Sequence, residues 1–580
     1  MNKNNYIEQI INFYKNNQFD QALSLCDQNS DKSIEHIILN FKGAIYFKQK
    51  NFKLAKENFL RSADIDNNFI DPHKNLYLLY LDSKEFKDAI DCAEKIIKIE
   101  ETKKIKNPES NYQLAYAYEM NGNLTDAIYY YKTSESLGFG DKKILFNNLG
   151  NVYLKKKNSI EAEKFFFKAL EFDQNSTTII NNLLTNYLRA RNYKKAEIYY
   201  KKAEQIDKEC DAFKKNKAEL LIAQHKFEEA THLLNNLVEK KNNFAAPLSL
   251  ASLYSRLGKT EQAEKIIDDS LRIYPKNAQL NFFKGCIMIE KGDFNSGWKY
   301  FEFRKSKLDE RYSNINEWNG ENLSDKNILV YNEQGIGDAI QFSKYLFPLS
   351  KICKEIDFVV SDKLYPLFKK NINNINIYKK IDILNKNYDY KISLGSLIKF
   401  FYNKINSNNN NLLYVDELKI EYWKKKLNFS KLNVGIIWSG FFLGPNEPYR
   451  SISLEKFNKI LSLNANFYAL QNEVWERDVY FLNQSNIINY GNFNLEEITA
   501  IISNLDLVIS IDTSLLHISY TLNKETWGIL SINPDYRWEK LYDIDPYNSL
   551  KIYRQSEFNN WDLVLNKIEE DLIKKINLFK

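Results

Sequence analysis

Three short stretches in the second half of this chain place polar residues where an apolar, strand-like run ends. Asn332-Glu333-Gln334-Gly335-Ile336-Gly337-Asp338 follows Ile328–Tyr331. Its two glycines allow a backbone to approach a ligand, and Asp338 opens the next helix, where a carboxylate serves either as a helix cap or as a proton acceptor. Trp438-Ser439-Gly440 ends a second run. Ser439 and Gly440 offer hydroxyl and amide donors, and Arg450, ten residues on, has the fork geometry that clamps a phosphate or sits at the surface after a turn. The third stretch is Ile511-Asp512-Thr513-Ser514-Leu515-Leu516-His517. Thr513 and Ser514 hydroxyls, with the unpaired amides of a first helical turn, make an anion site. His517 falls on that turn; the alternative for it is a packed histidine on a capped helix.

These residues need a frame that holds strand ends together. From Ile328 onward, short apolar runs alternate with helical stretches. Ile328–Tyr331, Phe358–Val360, Asn376–Tyr378 and Lys391–Leu394 read as strands of one lobe, over residues 325–430. Val434–Trp438, Phe467–Leu470, Leu507–Ile511 and Thr526–Leu530 read as strands of a second, over 432–580. Ala339–Ile352 and Trp561–Ile576 read as helices, the latter either crossing back to the first lobe or capping the second. Such alternation predicts two parallel sheets with helices on both faces, which bind ligands at the carboxyl ends of the strands.

Residues 1–310 follow another rule. Ala22, Ala55, Ala89, Ala127, Ala162, Ala196, Ala230 and Ala263, with Gly297 next, recur about every 34 residues, and most are preceded three residues earlier by a large apolar side chain. An apolar residue also stands four positions after each alanine, as at Phe59 and Phe166, and glycines such as Gly43 and Gly150 fall on the preceding helix. This predicts about nine helix pairs stacked as an α solenoid, with small residues where helices cross. The pattern resembles the tetratricopeptide repeat family. The resemblance implies a groove for a protein or peptide; a pure scaffold is the alternative.

Bulk composition adds exclusions. The 580 residues are 44% hydrophobic and 27% charged, with 81 basic against 75 acidic side chains, a net charge of +6. That near balance, with no basic stripe, argues against a nucleic-acid partner. Cys26, Cys92, Cys210, Cys286 and Cys353 are scattered and unpaired in spacing, which predicts neither zinc nor disulfides. His36, His73, His225 and His232 show no ligand spacing, and His225 and His232 read as ordinary helical residues. Asp543-Ile544-Asp545 lacks the apolar strand that should precede a manganese-binding pair. The expectation is no metal, no cofactor, no secretory signal, no integral membrane segment and a cytoplasmic location.

The second half resembles the glycosyltransferases of the ADP-heptose:lipopolysaccharide heptosyltransferase type, of GT-B fold, and more closely their bacterial relatives with an N-terminal repeat array. The matching stretches are Gly292-Asp293-Phe294 with Gly297-Trp298, Trp318-Asn319-Gly320, Glu333–Asp338 with Gln341-Phe342, Trp438-Ser439-Gly440 with Arg450-Ser451-Ile452, Leu470-Gln471, Asp512-Thr513 with His517, and Arg554-Gln555 before Trp561. The resemblance implies an inverting, metal-independent transfer from a nucleotide-sugar donor to a protein or glycan acceptor. It makes Asp338 the general base, with Gln334, Gly335 and Gly337 on the acceptor-side turn. It gives the donor diphosphate to Asp512, Thr513, Ser514, His517, Arg450, Ser439 and Gly440. The loop Phe441–Tyr449 departs from the family, which fills it with His, Lys, Asn and Asp. A non-catalytic adaptor built on the same fold is the rival expectation.

Overall fold

The computed structural model describes residues 3–241, 245–307, 312, 314–368, 372, 374–379, 386–403, 412–442, 447, 449–539, 548–558 and 560–579. By packing, the chain divides into two compact units, Met1–Ala223 and Gln224–Lys580.

The first unit is a run of helical hairpins, from Lys3–Lys15 with Phe19–Asp27 to Thr177–Arg189 with Tyr193–Ile206, followed by helix Asp211–Ala223. The periodic alanines mark one structural position. Each is the fourth residue of the second helix of its hairpin, as Ala55 is in Phe52–Ile65 and Ala162 in Ser159–Leu170, and each is fully buried. The residue four positions on fills the crossing. A Cβ on Gly43 would lie 2.5 Å from the Phe59 ring, and one on Gly150 would lie 2.5 Å from Phe166. Neighbouring hairpins are also joined by amide-to-amide hydrogen bonds, Asn75 to Asn40 at 2.9 Å, Asn182 to Asn147 at 3.0 Å and Asn216 to Asn181 at 2.8 Å. His36 and His73 belong to helices Glu35–Lys48 and Ile70–Asp82.

The second unit begins with helices of the same pattern: Phe227–Glu239, Ala245–Arg256 with Thr260–Ile273, and Ala278–Lys291 with Phe294–Phe301. His232 is helical, but His225 is not. It stands in the turn before Phe227–Glu239 at φ +61°, with its ring beside Phe227 and Phe558. In the last hairpin two glycines face each other: a Cβ on Gly285 would lie 2.7 Å from the backbone nitrogen of Phe301, and one on Gly297 3.1 Å from that of Ile289.

Among the described residues nine parallel strands follow: β1 (Asn327–Tyr331), β2 (Glu355–Val360), β3 (Ile375–Lys379), β4 (Tyr390–Ser393), β5 (Asn433–Ile437), β6 (Asn466–Ala469), β7 (Leu507–Ile511), β8 (Thr526–Leu530) and β9 (Leu550–Arg554). They form two sheets, ordered β3-β2-β1-β4 and β6-β5-β7-β8-β9. Every strand pair is parallel, and the inner strands β1, β2, β5, β7 and β8 are near-continuously buried, as sheets covered on both faces must be. One apolar core runs through both sheets and takes in Ile289, Trp298 and Phe301 of the last hairpin.

Two local expectations change. The helix expected over Ala339–Ile352 is two pieces, Ile336–Ser343 and Leu346–Ser350, because Pro348 lacks a donor and its ring clashes with the carbonyl four residues back. Strand β9 has no continuous apolar signature: it pairs with β8 while exposing Lys551 and Arg554, the charged outer edge that keeps a sheet from pairing further. The final helix, Asp562–Leu578, lies on the second lobe, tied by Asp571 to Lys551 and Tyr553 and by Lys575 to Glu525.

Candidate functional site

In each sheet the strand order reverses beside its first strand, between β1 and β4 in one and between β5 and β7 in the other. The carboxyl ends flanking those reversals are the crevices where such folds hold ligands. The Gln334–Asp338 turn follows β1, Ser439, Gly440 and Arg450 follow β5, and Asp512–His517 follow β7, and the segments after β1 and β7 meet. A Cβ on Gly337, just past β1, would lie 2.9 Å from the His517 ring and 3.5 Å from the Cα of Ser514, at the start of the helix after β7. Only glycine permits that approach.

On the first lobe, helix Ile336–Ser343 has Gly335 as its N-cap, so Asp338 is its third residue rather than its cap. The Gly335 N–H donates back to Asp338 Oδ2 at 3.0 Å. The other oxygen, Oδ1, accepts from the guanidinium of Arg537. Gln334 joins the same line. With its amide oriented to satisfy both ends, its nitrogen donates to Asp338 Oδ1 at 3.2 Å and its oxygen accepts from Arg304 Nε at 2.8 Å. Arg304, from the turn after the last hairpin, is 7% exposed in its side chain. It donates to Glu333 at 2.8 Å, to Ser393 at 3.0 Å and to Ser396 at 2.9 Å, binding the ends of β1 and β4 together. A Cβ on Gly395 would collide with Glu333 at 2.8 Å and Arg304 at 3.0 Å.

On the second lobe, the expected backbone donors at the end of β5 are already committed, while the buried Ser439 hydroxyl has no hydrogen-bond partner among the described residues. The Ser439 N–H goes to Gln471 Oε1 at 3.2 Å, and the Gly440 N–H to Ser451 Oγ at 2.9 Å. The reason is burial: Ser439 is 1% exposed, and backbone donors out of reach of water must be satisfied within the protein. Arg450 is committed as well. Its Nε donates to Glu447 at 2.7 Å, and its Nη1 to the backbone carbonyl of Asp512. Gly440 makes room for this pair, since a Cβ there would lie 2.1 Å from Glu447 and 2.6 Å from Arg450. These residues brace the end of β5 against the end of β7.

After β7, Thr513 is the N-cap of helix Ser514–Thr521, its hydroxyl 3.4 Å from that of Ser510. Thr513, Ser514 and Leu515 are partly exposed, and they put the positive end of the helix at the crevice. His517 is 2% exposed and does not project from this tip. Its Nδ1 meets the Tyr520 hydroxyl, its ring stacks on Trp538 at 5.4 Å, and its Nε2 is 3.8 Å from Asp512. Burial first, then the charges of Arg537, Lys344 and Arg450, drives its pKa well below 6.5, so it is a neutral imidazole. Asp512 is shifted the opposite way: burial raises it, against the pull of Arg537 and Arg450.

The turn Asp535-Tyr536-Arg537-Trp538, beyond the end of β8, was not among the sequence candidates. Asp535 caps it, accepting from the Arg537 N–H at 3.2 Å and from Arg537 Nε at 2.8 Å. Arg304 and Glu333 had no assigned role either. The signal was positional: every parallel strand has a carboxyl end, and the segments after β4 and β8 lie at that edge as surely as those after β1 and β7. Other matching residues prove to be supports. Gln471 brackets Ser439, Gln555 accepts from Ile532 N–H at 3.2 Å, Trp318 packs on Phe400, and Trp298 on Phe301. Asp543–Asp545 and, in the atypical loop, Leu443–Asn446 and Pro448 lie outside the described residues. Among the described residues no cluster of three or more His, Cys, Asp or Glu could hold a metal ion, and no helix is long and apolar enough to cross a membrane.

Hairpins of this period, followed by two parallel sheets whose strand ends converge on a carboxylate and a helix tip, define a helical-repeat protein with a two-lobed α/β transferase fold. Stretches of the chain match the tetratricopeptide repeat and glycosyltransferase family 9 (heptosyltransferase). Residues 37–69, 145–176 and 248–277 match the repeat, and residues 473–565 match the transferase family. The latter stretch contains Asp512, His517 and Arg537; Asp338 lies ahead of it. The chain is similar to Protein FlbA of Caulobacter vibrioides, 19% identical over 328 residues, covering 50% of this chain and 54% of that protein. It is similar to Protein PFC0760c of Plasmodium falciparum, 24% identical over 277 residues, 46% of this chain and 7% of the other. The chain thus spans about half, or far less, of the length of these relatives. Among solved structures, a tetratricopeptide repeat protein from Parabacteroides merdae aligns at 16% identity and TM-score 0.35, covering 41% of this chain and 93% of that one.

Proposed function

We propose that the second unit moves a sugar from a nucleoside diphosphate donor to a protein or glycan acceptor, with inversion at the sugar. The single observation that carries this reading is the approach of Gly337 to Ser514 and His517, which sets Asp338 beside the positive tip of helix Ser514–Thr521. An inverting displacement needs a carboxylate to take the acceptor's proton and fixed donors aimed at the charge that grows on the departing diphosphate. Asp338 supplies the first. The amides at the start of the helix and the arginines around it supply the second, and the reaction so described requires no metal ion. His517, being neutral, contributes no charge. Its part is to pack with Trp538 and Tyr520 around the helix tip. The repeats supply a surface for recruiting the acceptor or a partner protein.

The test is calorimetric titration with a panel of nucleotide sugars, followed by transfer assays. Asp338→Asn should bind donor yet lose transfer by about 10²-fold or more. His517→Ala should weaken donor binding, because the wall of the tip collapses. A second reading, an adaptor with a non-catalytic domain, is favoured by one observation: both oxygens of Asp338 are already hydrogen-bonded. Failure of every nucleotide sugar to bind would select it.

A further inference from the structure

Arg537 is tethered at one end and committed to a movable contact at the other. Its Nε donates to Asp535 Oδ1 at 2.8 Å, and that carboxylate is fixed as the cap of the same turn. Its Nη1 reaches across to Asp338 of the first lobe. Asp338 in turn is anchored through its other oxygen to Gly335 N–H and stays where it is if the guanidinium leaves. Its neighbour Gly337 lies against Ser514, so the terminal edge of Arg537 sits beside the positive helix tip. The other arginine there, Arg450, is held at Nε by Glu447 and at Nη1 by the backbone of Asp512. Of these two arginines, Arg537 is therefore the one whose outer edge can be exchanged without dismantling a strand end.

We propose that Arg537 is a ligand of the donor diphosphate, and that by exchanging Asp338 for phosphate it frees the carboxylate to accept a proton. This rests on the transferase reading. No covalent bond changes in the step: the guanidinium gives up one carboxylate oxygen and takes phosphate oxygens, and a lone pair on Asp338 Oδ1 becomes available to the acceptor hydroxyl. The diphosphate carries a negative charge on each of its two phosphates against one on the carboxylate, and it matches the guanidinium fork in two parallel bonds, so it wins the competition. Two consequences follow. Donor must bind before the acceptor is deprotonated, and Asp338 opposes donor binding even as it serves transfer.

The second consequence is the test, since a merely structural arginine would not produce it. Binding of ADP, UDP and GDP is measured by calorimetry on the full chain, and the tightest of the three is then titrated into Asp338→Asn, Arg537→Gln and the double variant. Asp338→Asn should tighten the diphosphate about three- to tenfold, because the competitor for Arg537 is gone. Arg537→Gln should weaken it at least about tenfold, and the gain from Asp338→Asn should vanish in the double variant. If Arg537→Gln fails to fold, as its thermal melt would show, Asp338→Asn and Asp338→Ala alone decide. Binding that these leave unchanged or weaken overturns the inference while the transferase reading stands. No binding of any diphosphate to the unaltered chain overturns both.

Discussion

At the scale of single residues, the site is governed by what burial does to charge. His517 titrates near 6.5 in an unfolded chain, whereas in the fold its burial, with Arg537, Lys344 and Arg450 around it, holds the imidazole neutral to lower pH. Below about pH 6.5 the unfolded chain therefore binds more protons, and stability falls as pH drops. The unfolding free energy of the second unit should decline by up to about 1.4 kcal/mol per pH unit from 6.5 downward. Chemical denaturation at a series of pH values checks this, and His517→Gln should flatten the slope. Gly337 is the second residue on which the site depends. Alanine there would press a methyl on a ring boxed in by Trp538 and Tyr520, so Gly337→Ala should cost about 1–3 kcal/mol in a thermal melt. The presence of Asp338, Ser514 and His517 was legible in the sequence, since strand ends announce themselves. Their partners were not: Arg537 is 199 positions from Asp338, and nothing local signals that pairing.

At the scale of elements, each hairpin turns through a left-handed residue two positions before its second helix. Glycine takes that place at Gly122, Gly258 and Gly292, but Lys50, Lys84 and Lys157 hold it at φ near +60°. A side chain in this region is strained, and glycine removes the strain at the cost of a more flexible unfolded chain. Lys50→Gly and Lys157→Gly should each raise the stability of the first unit by about 0.5–1 kcal/mol, read from urea denaturation. Gly150→Ala should do the opposite, by about 1–3 kcal/mol, because its methyl would overlap the Phe166 ring; Phe166→Leu should restore part of the loss. The alanine period marked the second helix of each pair, since a position repeated at every crossing leaves the same trace each time. Strand β9 escaped because an outer strand alternates charge with apolar contact and leaves no such trace.

At the scale of the whole molecule, the packing boundary falls at Ala223–Gln224, and the helices from Phe227 to Phe301 share a compact unit with both sheets. Trp298 and Phe301 lie in the core of the two lobes, and Arg304 neutralises Glu333 at the end of β1. A chain starting at Gln224 should therefore fold, as judged by a cooperative melt and a near-ultraviolet circular dichroism signal. One starting at Tyr312 should not: it leaves Glu333 buried without its cation, a loss of about 3–5 kcal/mol, and opens the core where Trp298 and Phe301 stood. Periodicity in sequence and compactness in space are separate properties. The repeat runs on to the first sheet while the packing division falls earlier.

The chain order of residues by itself determined the repeat, the alternation of strands and helices, and the segments where polar groups end apolar strands, because each of these depends on spacing along the chain. Tertiary structure alone decided which of those groups stay available. It committed the amides of Ser439 and Gly440 to their own lobe, neutralised His517 by enclosing it, and set Arg537 against Asp338. The physical reason is that hydrogen-bond satisfaction and desolvation depend on what lies within a few ångströms, and at this site those neighbours come from strand ends scattered along the chain.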